Sequence, residues 1–157
     1  KSNGGIIVDG LEGCLVKFAR CCNPLPGDSV IGFITRGHGV SVHKSDCPNV
    51  ALGRDNPENE GRWVDAYWEE KKGGSVDLYE AQISIYVFDR IGILADISVS
   101  LSEMKVQILS INTVKYGTDG VIVNLKISCK NVDHYHSIVS KLKSIDGVND
   151  ITRGYSQ

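Results

Sequence analysis

Four potential metal ligands constrain this chain more than any other feature of its sequence. Two adjacent cysteines, Cys21 and Cys22, are followed by His43 and then by Cys47. Three thiolates and one imidazole nitrogen form the ligand set of a closed tetrahedral zinc site. Structural zinc sites usually begin with cysteines about two to four residues apart, whereas adjacent side chains on a regular strand point to opposite faces. The spacing therefore leaves three interpretations open: a zinc site, cysteines buried in a core, and redox-sensing thiols.

The residues between these ligands predict a β-hairpin. Residues 23–28 contain two prolines and a glycine, which is a strong turn signal. Two strand-like segments follow, 29–35 and 40–44, with a Gly-His-Gly turn between them. If the valines of the second strand face the core, the alternation of a strand sends His43 to the other face, towards the end where the next cysteine lies.

Three further strand-like segments complete a first, β-rich domain, which we expect over residues 1–72. Short runs at 5–10 and 14–19 suggest an opening hairpin, and the alternation over 62–69 predicts a closing strand. Cys14 belongs to the second run and is interpreted as a core residue.

The composition argues against several classes of protein. The 157-residue chain has a net charge of -2, so it is not a uniformly basic nucleic-acid binder. Its 5 cysteines are an odd number, and Cys129 lies in a distant aliphatic pattern, which makes a secreted disulfide framework a poor explanation. No run approaches the roughly 18 apolar residues of a membrane span, and the first residues do not resemble a signal peptide. A reducing cytoplasm fits this composition best.

The cysteine hairpin is nevertheless locally basic. Between residues 17 and 44, four basic side chains stand against one acidic side chain, Asp28, so the local charge is +3 (4 − 1). Such a patch suits a phosphate backbone, and an ordinary solvated surface explains it equally well. The basic residues are Lys17, Arg20, Arg36 and Lys44, with His38 at the hairpin turn.

A glycine-containing link, residues 73–77, separates the first domain from a second one, residues 78–157. The hydrophobic periodicity of the second domain predicts the order β-α-β-β-α-β, a ferredoxin-like fold with two helices on one face of an antiparallel sheet. Its second helix begins at an N-cap, either Asn131 or Asp133. We therefore expect an α+β protein in which a small cysteine module precedes a ferredoxin-like domain.

The turn after the first strand of this second domain is another candidate site. Within residues 89–94, Gly92 would let the N-terminus of the following helix approach a small ligand. The free backbone N–H groups at that helix end would favour the carboxylate of the ligand. A tight turn that needs glycine explains the residue equally well. The sequence contains no set of nucleophile, base and orienting group and no phosphate-binding loop, so a self-standing enzyme is the least supported class.

Together the two halves resemble a known family. The segments A-R-C-C-N-P-L-P-G-D (19–28) and G-F-I-T-R-G-H-G-V-S-V-H-K-S-D-C-P-N (32–49) resemble the conserved-cysteine or zinc-finger module of long bacterial RelA/SpoT-type (p)ppGpp synthetase/hydrolases. The signature D-R-x-G-x-L, which begins at Asp89, is similar to the loop of the ACT domain that ends those proteins. The resemblance covers residues 5–153.

This resemblance implies a regulatory, non-catalytic C-terminal region of a bifunctional (p)ppGpp synthetase/hydrolase (GTP pyrophosphokinase) of the stringent response. The family's catalytic domains lie N-terminal to these modules. Its cysteine module contacts ribosomal RNA on the ribosome, where tRNA is a further expected partner, and ACT domains generally bind amino acids, often across a homodimer. The alternative is an amino-acid-binding allosteric module that controls an attached metabolic enzyme.

The resemblance also assigns site residues. The implied zinc ligands are Cys21, Cys22, His43 and Cys47. The residues expected to contact RNA are Arg20, Arg36, His38 and Lys44. A branched-chain amino acid effector is expected to bind near Asp89, Arg90, Gly92, Leu94 and Asn112.

Overall fold

The computed structural model describes residues 4–11, 13–37, 39–70 and 77–154. The chain forms two compact units that divide between Asp77 and Leu78. The hairpin residue His38 and residues 73–76 of the expected link lie outside the described residues.

The first unit is a five-stranded sheet with one short helix. In space the strands follow the order β1-β5-β3-β4-β2. They are β1 (Ile6–Val8), β2 (Val16–Phe18), β3 (Val30–Ile34), β4 (Val40–Lys44) and β5 (Trp63–Trp68). The helix α1 (Pro48–Arg54) and a 3₁₀ turn (Pro57–Asn59) lie between β4 and β5. Strands β3 and β4 pair antiparallel and form the hairpin that the sequence predicts.

The expected opening hairpin is wrong. Strand β1 pairs antiparallel with β5, and β2 pairs parallel with β4, so the two strands lie at opposite edges of the sheet. An isolated ribbon of two such short strands is marginally stable, whereas each strand gains a longer neighbour and a shared core at the sheet edge. Ile6, Val8 and Phe18 accordingly pack in the same hydrophobic cluster.

The two faces of this sheet carry different clusters. One face buries Val40 and Val42 with residues of β1 and β5. The other face packs Ile31 with Cys22, Cys47 and residues beside them. The ring of His43 lies on this second face, 6.3 Å between centroids from Trp63, which confirms that the alternation of β4 sends His43 away from the valines.

The second unit has the predicted βαββαβ order, which confirms the ferredoxin-like fold. Its antiparallel sheet has the strand order β7-β8-β6-β9. The elements are β6 (Tyr79–Phe88), α2 (Ile93–Glu103), β7 (Ile108–Tyr116), β8 (Gly120–Cys129), α3 (Val132–Lys143) and β9 (Val148–Arg153). Alternate residues of β6 and β8 are buried, as are the apolar stripes of α2 and α3. Asn131 is the N-cap of α3, and its side chain accepts the backbone N–H of His134 at 2.8 Å.

The helices in the described part of the chain are short. The longest, α3, has 12 residues, and none of them is both long enough and apolar enough to cross a membrane.

Candidate functional site

The four predicted metal ligands converge at one point of the first unit. Their ligand atoms all lie within 4.8 Å of one another. The Sγ of Cys21 lies 3.4 Å from Nδ1 of His43 and 3.6 Å from the Sγ of Cys47. The Sγ of Cys22 lies 3.9 Å from the Cys21 sulfur and 3.9 Å from the same histidine nitrogen.

These separations match the edges of a tetrahedron around a metal ion. Zn–S bonds of about 2.3 Å and Zn–N bonds of about 2.0–2.1 Å give ideal edges of about 3.8 Å between two sulfurs and about 3.6 Å between sulfur and nitrogen. Four of the six edges, those given above, fall within about 0.4 Å of these values, and the other two, from Cys47 to Cys22 and from Cys47 to His43, are at most 4.8 Å long. The residues present therefore fit a four-coordinate ion, and a set that fills all four positions leaves no open position for a substrate.

The backbone explains how two adjacent cysteines reach the same point. The segment after β2 leaves the extended conformation, and the N–H of Asn23 donates to the carbonyl of Ala19 at 2.9 Å. This bond closes a single helical turn around Cys21 and Cys22, where neighbouring side chains need not point to opposite faces. Asn23 itself has a φ of 47°, in the left-handed region that asparagine tolerates better than most residues, and it redirects the chain towards β3.

The cluster is largely shielded from water. Cys22 is 1% exposed and Cys47 is 2% exposed. Burial raises the pKa of the Cys22 thiol. A hydrogen bond that its sulfur accepts from the backbone N–H of Lys44 at 3.3 Å lowers this pKa, but by less. Burial also raises the pKa of Cys47 and lowers the pKa of His43. Without a cation, burial therefore favours neutral thiols at Cys22 and Cys47 and a neutral imidazole at His43, and a bound divalent ion would supply the charge that stabilises thiolates.

The basic residues of the hairpin are not equivalent. Arg20 and Arg36 are exposed. Lys44 differs from the expectation, because its side chain is 8% exposed and its ammonium group lies 3.6 Å from a carboxylate oxygen of Asp46. In β4, Lys44 lies on the same face as Val40 and Val42, which accounts for its burial.

A row of aromatic and cationic side chains that was not predicted from the sequence lies beside the cluster. The guanidinium carbon of Arg62 lies 4.4 Å from the ring centroid of Phe33, while its Nε donates to the carbonyl of Ile34 at 3.0 Å. The Phe33 ring lies 4.7 Å from that of Trp63, and the guanidinium of Arg54 lies 5.8 Å from the Trp63 ring. The adjacency of Arg62 and Trp63 at the start of a predicted strand was the available signal.

The second candidate site is a groove of about 500 Å³ in the second unit. It lies between the N-terminus of α2 and the edge strand β7. Four predicted residues line it: Asp89, Arg90, Gly92 and Leu94. Gly92 is the N-cap of α2 with a φ of 88°, and no side chain caps this helix end, so the backbone there can approach a ligand.

Arg90 is held in this groove by an ion pair and by hydrogen bonds to a neighbouring turn. Its Nη2 lies 2.7 Å from a carboxylate oxygen of Asp96, and its Nε and Nη2 both donate to the carbonyl of Asp146. The guanidinium thus ties the turn before α2 to the turn after α3. A ligand carboxylate would have to share a group that is already engaged.

Asn112, by contrast, is not among the residues that line the groove. Its carbonyl oxygen accepts the amide of Asn124 at 3.2 Å, and the Asn124 oxygen accepts the hydroxyl of Ser84 at 2.8 Å. Asn112 lies on the face of the sheet opposite to that of Thr113, where it pairs with Asn124 of β8.

Both halves match models of known protein families. Residues 6–69 match the RelA/SpoT RIS domain, and residues 75–153 match the ACT domain. The fold and the loop at Gly92 thus define an ACT-domain protein. Since a RIS domain precedes that ACT domain, the chain belongs to the RelA/SpoT family, and the resemblance seen in the sequence is confirmed.

Similar proteins support the same family. The chain is 34% identical over 155 residues to the GTP pyrophosphokinase of Escherichia coli (strain K12), which covers 98% of this chain and 20% of that protein. It is 32% identical over 149 residues to the bifunctional (p)ppGpp synthase/hydrolase RelA of Mycobacterium tuberculosis, covering 95% of this chain and 19% of that protein. The chain therefore spans about a fifth of the length of these relatives.

Among solved structures, the crystal structure of the ACT domain from the GTP pyrophosphokinase of Chlorobium tepidum is similar to the second unit. It aligns with 49% of this chain and 99% of its own length, at 26% identity and a TM-score of 0.43.

The geometry of the cluster predicts the spectrum of a bound probe metal. We expect metal-free chain to bind Co²⁺ with the visible absorption of a tetrahedral ion and with thiolate-to-metal charge transfer, and Zn²⁺ to displace it. Cys22→Ser should weaken metal binding by at least roughly tenfold, which is the loss seen when even an outer-shell partner is removed. Cys129→Ser is the matched control, because Cys129 is an equally buried cysteine of the second unit. Equal losses in both variants would contradict a site at the cluster.

Proposed function

We propose that this chain is the regulatory, non-catalytic region of a (p)ppGpp synthetase/hydrolase, in which a zinc-bound RIS domain contacts ribosomal RNA. The catalytic domains would lie N-terminal to it in the full-length protein, where this region would pass starvation signals to them. The convergence of four ligand atoms beside basic side chains, within a RIS domain, carries the proposal. The names of the relatives, which are GTP pyrophosphokinases, support the enzyme to which such a region would belong.

Zinc would act here as a cross-link. Its ligands come from the turn after β2, the end of β4 and the start of α1. The first unit is small, and a unit of this size buries little apolar surface, so such a cross-link would contribute substantially to its stability. The backbone would then position the basic side chains. The turn after β2 fixes Arg20 beside the cluster, and the β3–β4 hairpin holds Arg36 at its tip.

The RNA surface that we propose differs from the sequence expectation in two residues: Lys44 is replaced, and His38, which lies outside the described residues, stays a prediction from the sequence. Lys44 is replaced by Arg62, because the Lys44 side chain is buried whereas the Arg62 guanidinium is held in a fixed orientation over Phe33. A planar guanidinium fixed in this way suits phosphate oxygens and the faces of unstacked bases. The surface therefore comprises Arg20, Arg36 and Arg62, which would bind chiefly the RNA backbone and show little base specificity.

This surface predicts different effects for two kinds of variant. Arg36→Ala should keep the metal and weaken ribosome association, with the slope of log K against log salt reduced by about 1. Cys22→Ser should lose both metal and ribosome association, because the turn that presents Arg20 is then no longer fixed. Ribosome pelleting of the full-length protein at several salt concentrations, together with zinc analysis, measures both effects. Lys130→Ala, which removes an exposed cation of the second unit, is the control. If Cys22→Ser pellets like the parent, the cluster does not support RNA binding.

The groove at Gly92 supports a second candidate function, an allosteric site for a branched-chain amino acid. The uncapped N-terminus of α2 would receive the carboxylate, and the apolar lining, including Leu94 and Val123, would receive the side chain. Arg90 would shape the groove through its bonds to the α3–β9 turn rather than bind the ligand alone.

Substitution of Gly92 tests this site. Gly92→Val forces a β-branched residue into a backbone with a φ of 88°, where the strain costs about 1–2 kcal/mol and shifts the N–H groups of the helix end. We expect heat on titration of the parent with valine, leucine or isoleucine, and none with the variant. Gly61→Val in the first unit, at a φ of 80°, imposes similar strain elsewhere and should leave binding unchanged. Absence of heat with all three amino acids in the parent would contradict this function.

We also propose that the ACT domain forms a homodimer through β7. This strand lies at the edge of its sheet, and its apolar residues Leu109, Ile111 and Val114 are 42–52% exposed. Exposed apolar edge strands invite pairing with another chain, and Val114 also lines the groove, which a second copy would then help to close. Sedimentation velocity should give a dimer for the chain and a monomer for Ile111→Lys, which places a charge on this edge. A monomeric parent would contradict the dimer.

A further inference from the structure

A second groove in the ACT domain lies on the open face of the sheet, away from the groove at Gly92. It has a volume of about 640 Å³, within the usual range of about 300–1,000 Å³ for ligand pockets. Three aromatic side chains that point to the face opposite the helices line it: Tyr86, Phe88 and Tyr116. Phe88 is 47% exposed and Tyr116 is 56% exposed, so their rings are available to a ligand.

The floor of this groove is a glycine. Gly120 pairs with Phe88 on one side and with Tyr116 on the other, so no side chain separates the two rings. A Cβ at this position would lie 2.7 Å from the carbonyl oxygen of Tyr116, which the backbone cannot accommodate without shifting. The rings of Tyr86 and Tyr116 meet edge to face, with centroids 5.4 Å apart and an interplanar angle of 77°. The aromatic walls are therefore held in a fixed mutual orientation.

The charged residues that the structure describes in this groove are acidic. Asp119 and Asp150 line it, and no lysine or arginine among the described residues does. One carboxylate oxygen of Asp150 accepts the backbone N–H of Ile151 at 2.9 Å, which fixes the orientation of that side chain. The groove at Gly92 contrasts with it, because Arg90 and Lys115 line that site beside one carboxylate, Asp89. The groove on the open face is thus the more acidic of the two.

From this charge and these aromatic faces we infer that the groove receives an arginine side chain of a partner protein. A guanidinium is planar, so it can stack on the exposed rings while its N–H groups donate to the two carboxylates. Free arginine fits less well, since its own carboxylate would be repelled by Asp119 and Asp150. The volume also exceeds what a single side chain fills, which leaves room for the residues that flank the arginine in a peptide. This inference does not rest on the proposed function.

The test is an NMR titration of the ¹⁵N-labelled 157-residue chain with N-acetyl-arginine N-methylamide, a carboxylate-free model of a peptide arginine. We expect saturable shifts of the backbone amides of residues 86–88, 116–120 and 149–152. The corresponding citrulline compound has the same shape without the charge and should cause no such shifts. Spermidine and free arginine are titrated in parallel.

The double variant Asp119→Asn/Asp150→Asn keeps the shape of both side chains and removes their charges. It should weaken binding roughly threefold to tenfold, as expected for two partly exposed ion pairs. Asp133→Asn, which neutralises an exposed carboxylate at the start of α3, is the matched control and should bind like the parent.

Three results would overturn the inference: equal shifts with the citrulline compound, shifts confined to other residues, or unchanged affinity of the double variant. If spermidine shifts the same amides as strongly as the arginine compound, the groove responds to positive charge alone, and the assignment to an arginine side chain fails. If free arginine binds as tightly as the carboxylate-free compound, the argument from repulsion fails, and with it the assignment to a peptide.

Discussion

The first unit depends on the convergence of three thiols and one imidazole. These groups come from three segments, the turn after β2, the end of β4 and the start of α1, which are as many as 26 residues apart in sequence. The strands that carry them are three to five residues long, so the sheet alone gives them little positional restraint. The Trp63 ring lies near His43, the Phe33 ring packs against Trp63, and the Arg62 guanidinium lies over Phe33. Whatever fixes the cluster therefore also fixes the basic and aromatic surface beside it.

The two units bury their apolar side chains in different ways. The second unit buries alternate residues of two ten-residue strands under two amphipathic helices, and many of its core side chains, such as Ile85 and Leu142, are 0% exposed. The first unit instead divides its apolar residues between two small clusters on opposite faces of the sheet. In one of these clusters, cysteines occupy positions that an ordinary core would give to larger aliphatic side chains. Loss of the ligands should therefore affect the first unit far more than the second.

The sequence predicted the long, periodic elements well and the short ones less well. Strands of nine or ten residues and helices of eleven or twelve show their period over several turns or alternations, so the βαββαβ order was legible. The three-residue strands β1 and β2 carry too little pattern to identify their partners, which lie in β5 and β4. The meeting of Cys21 with Cys22 depends on a single turn and on the positive φ of Asn23, and neither can be derived from periodicity.

Two of the site residues could have been placed better with the same rule that placed His43. Lys44 is two residues after Val42 and therefore shares its buried face. Asn112 precedes Thr113, which lines the groove at Gly92, and therefore lies on the opposite face of the sheet. Both expectations named a residue of a strand without regard to the face of the sheet on which the alternation of that strand places its side chain. Arg62 was missed for the complementary reason, because its orientation is set by a ring and a carbonyl from a different strand.

The two grooves of the ACT domain lie on one sheet and share parts of it. Strand β7 lines both grooves, because Thr113, Val114 and Lys115 line the groove at Gly92 and Tyr116 lines the acidic aromatic groove. The turn that follows β7 supplies Asp119 to the acidic aromatic groove. The backbone N–H of Asp89, which lines the groove at Gly92, donates to the carbonyl of Asp119 at 2.8 Å. The two grooves therefore share a strand and a hydrogen-bonded turn. We expect a ligand that reorders this turn in one groove to change the geometry of the other, which is a short physical route by which the two proposed ligand sites would be coupled.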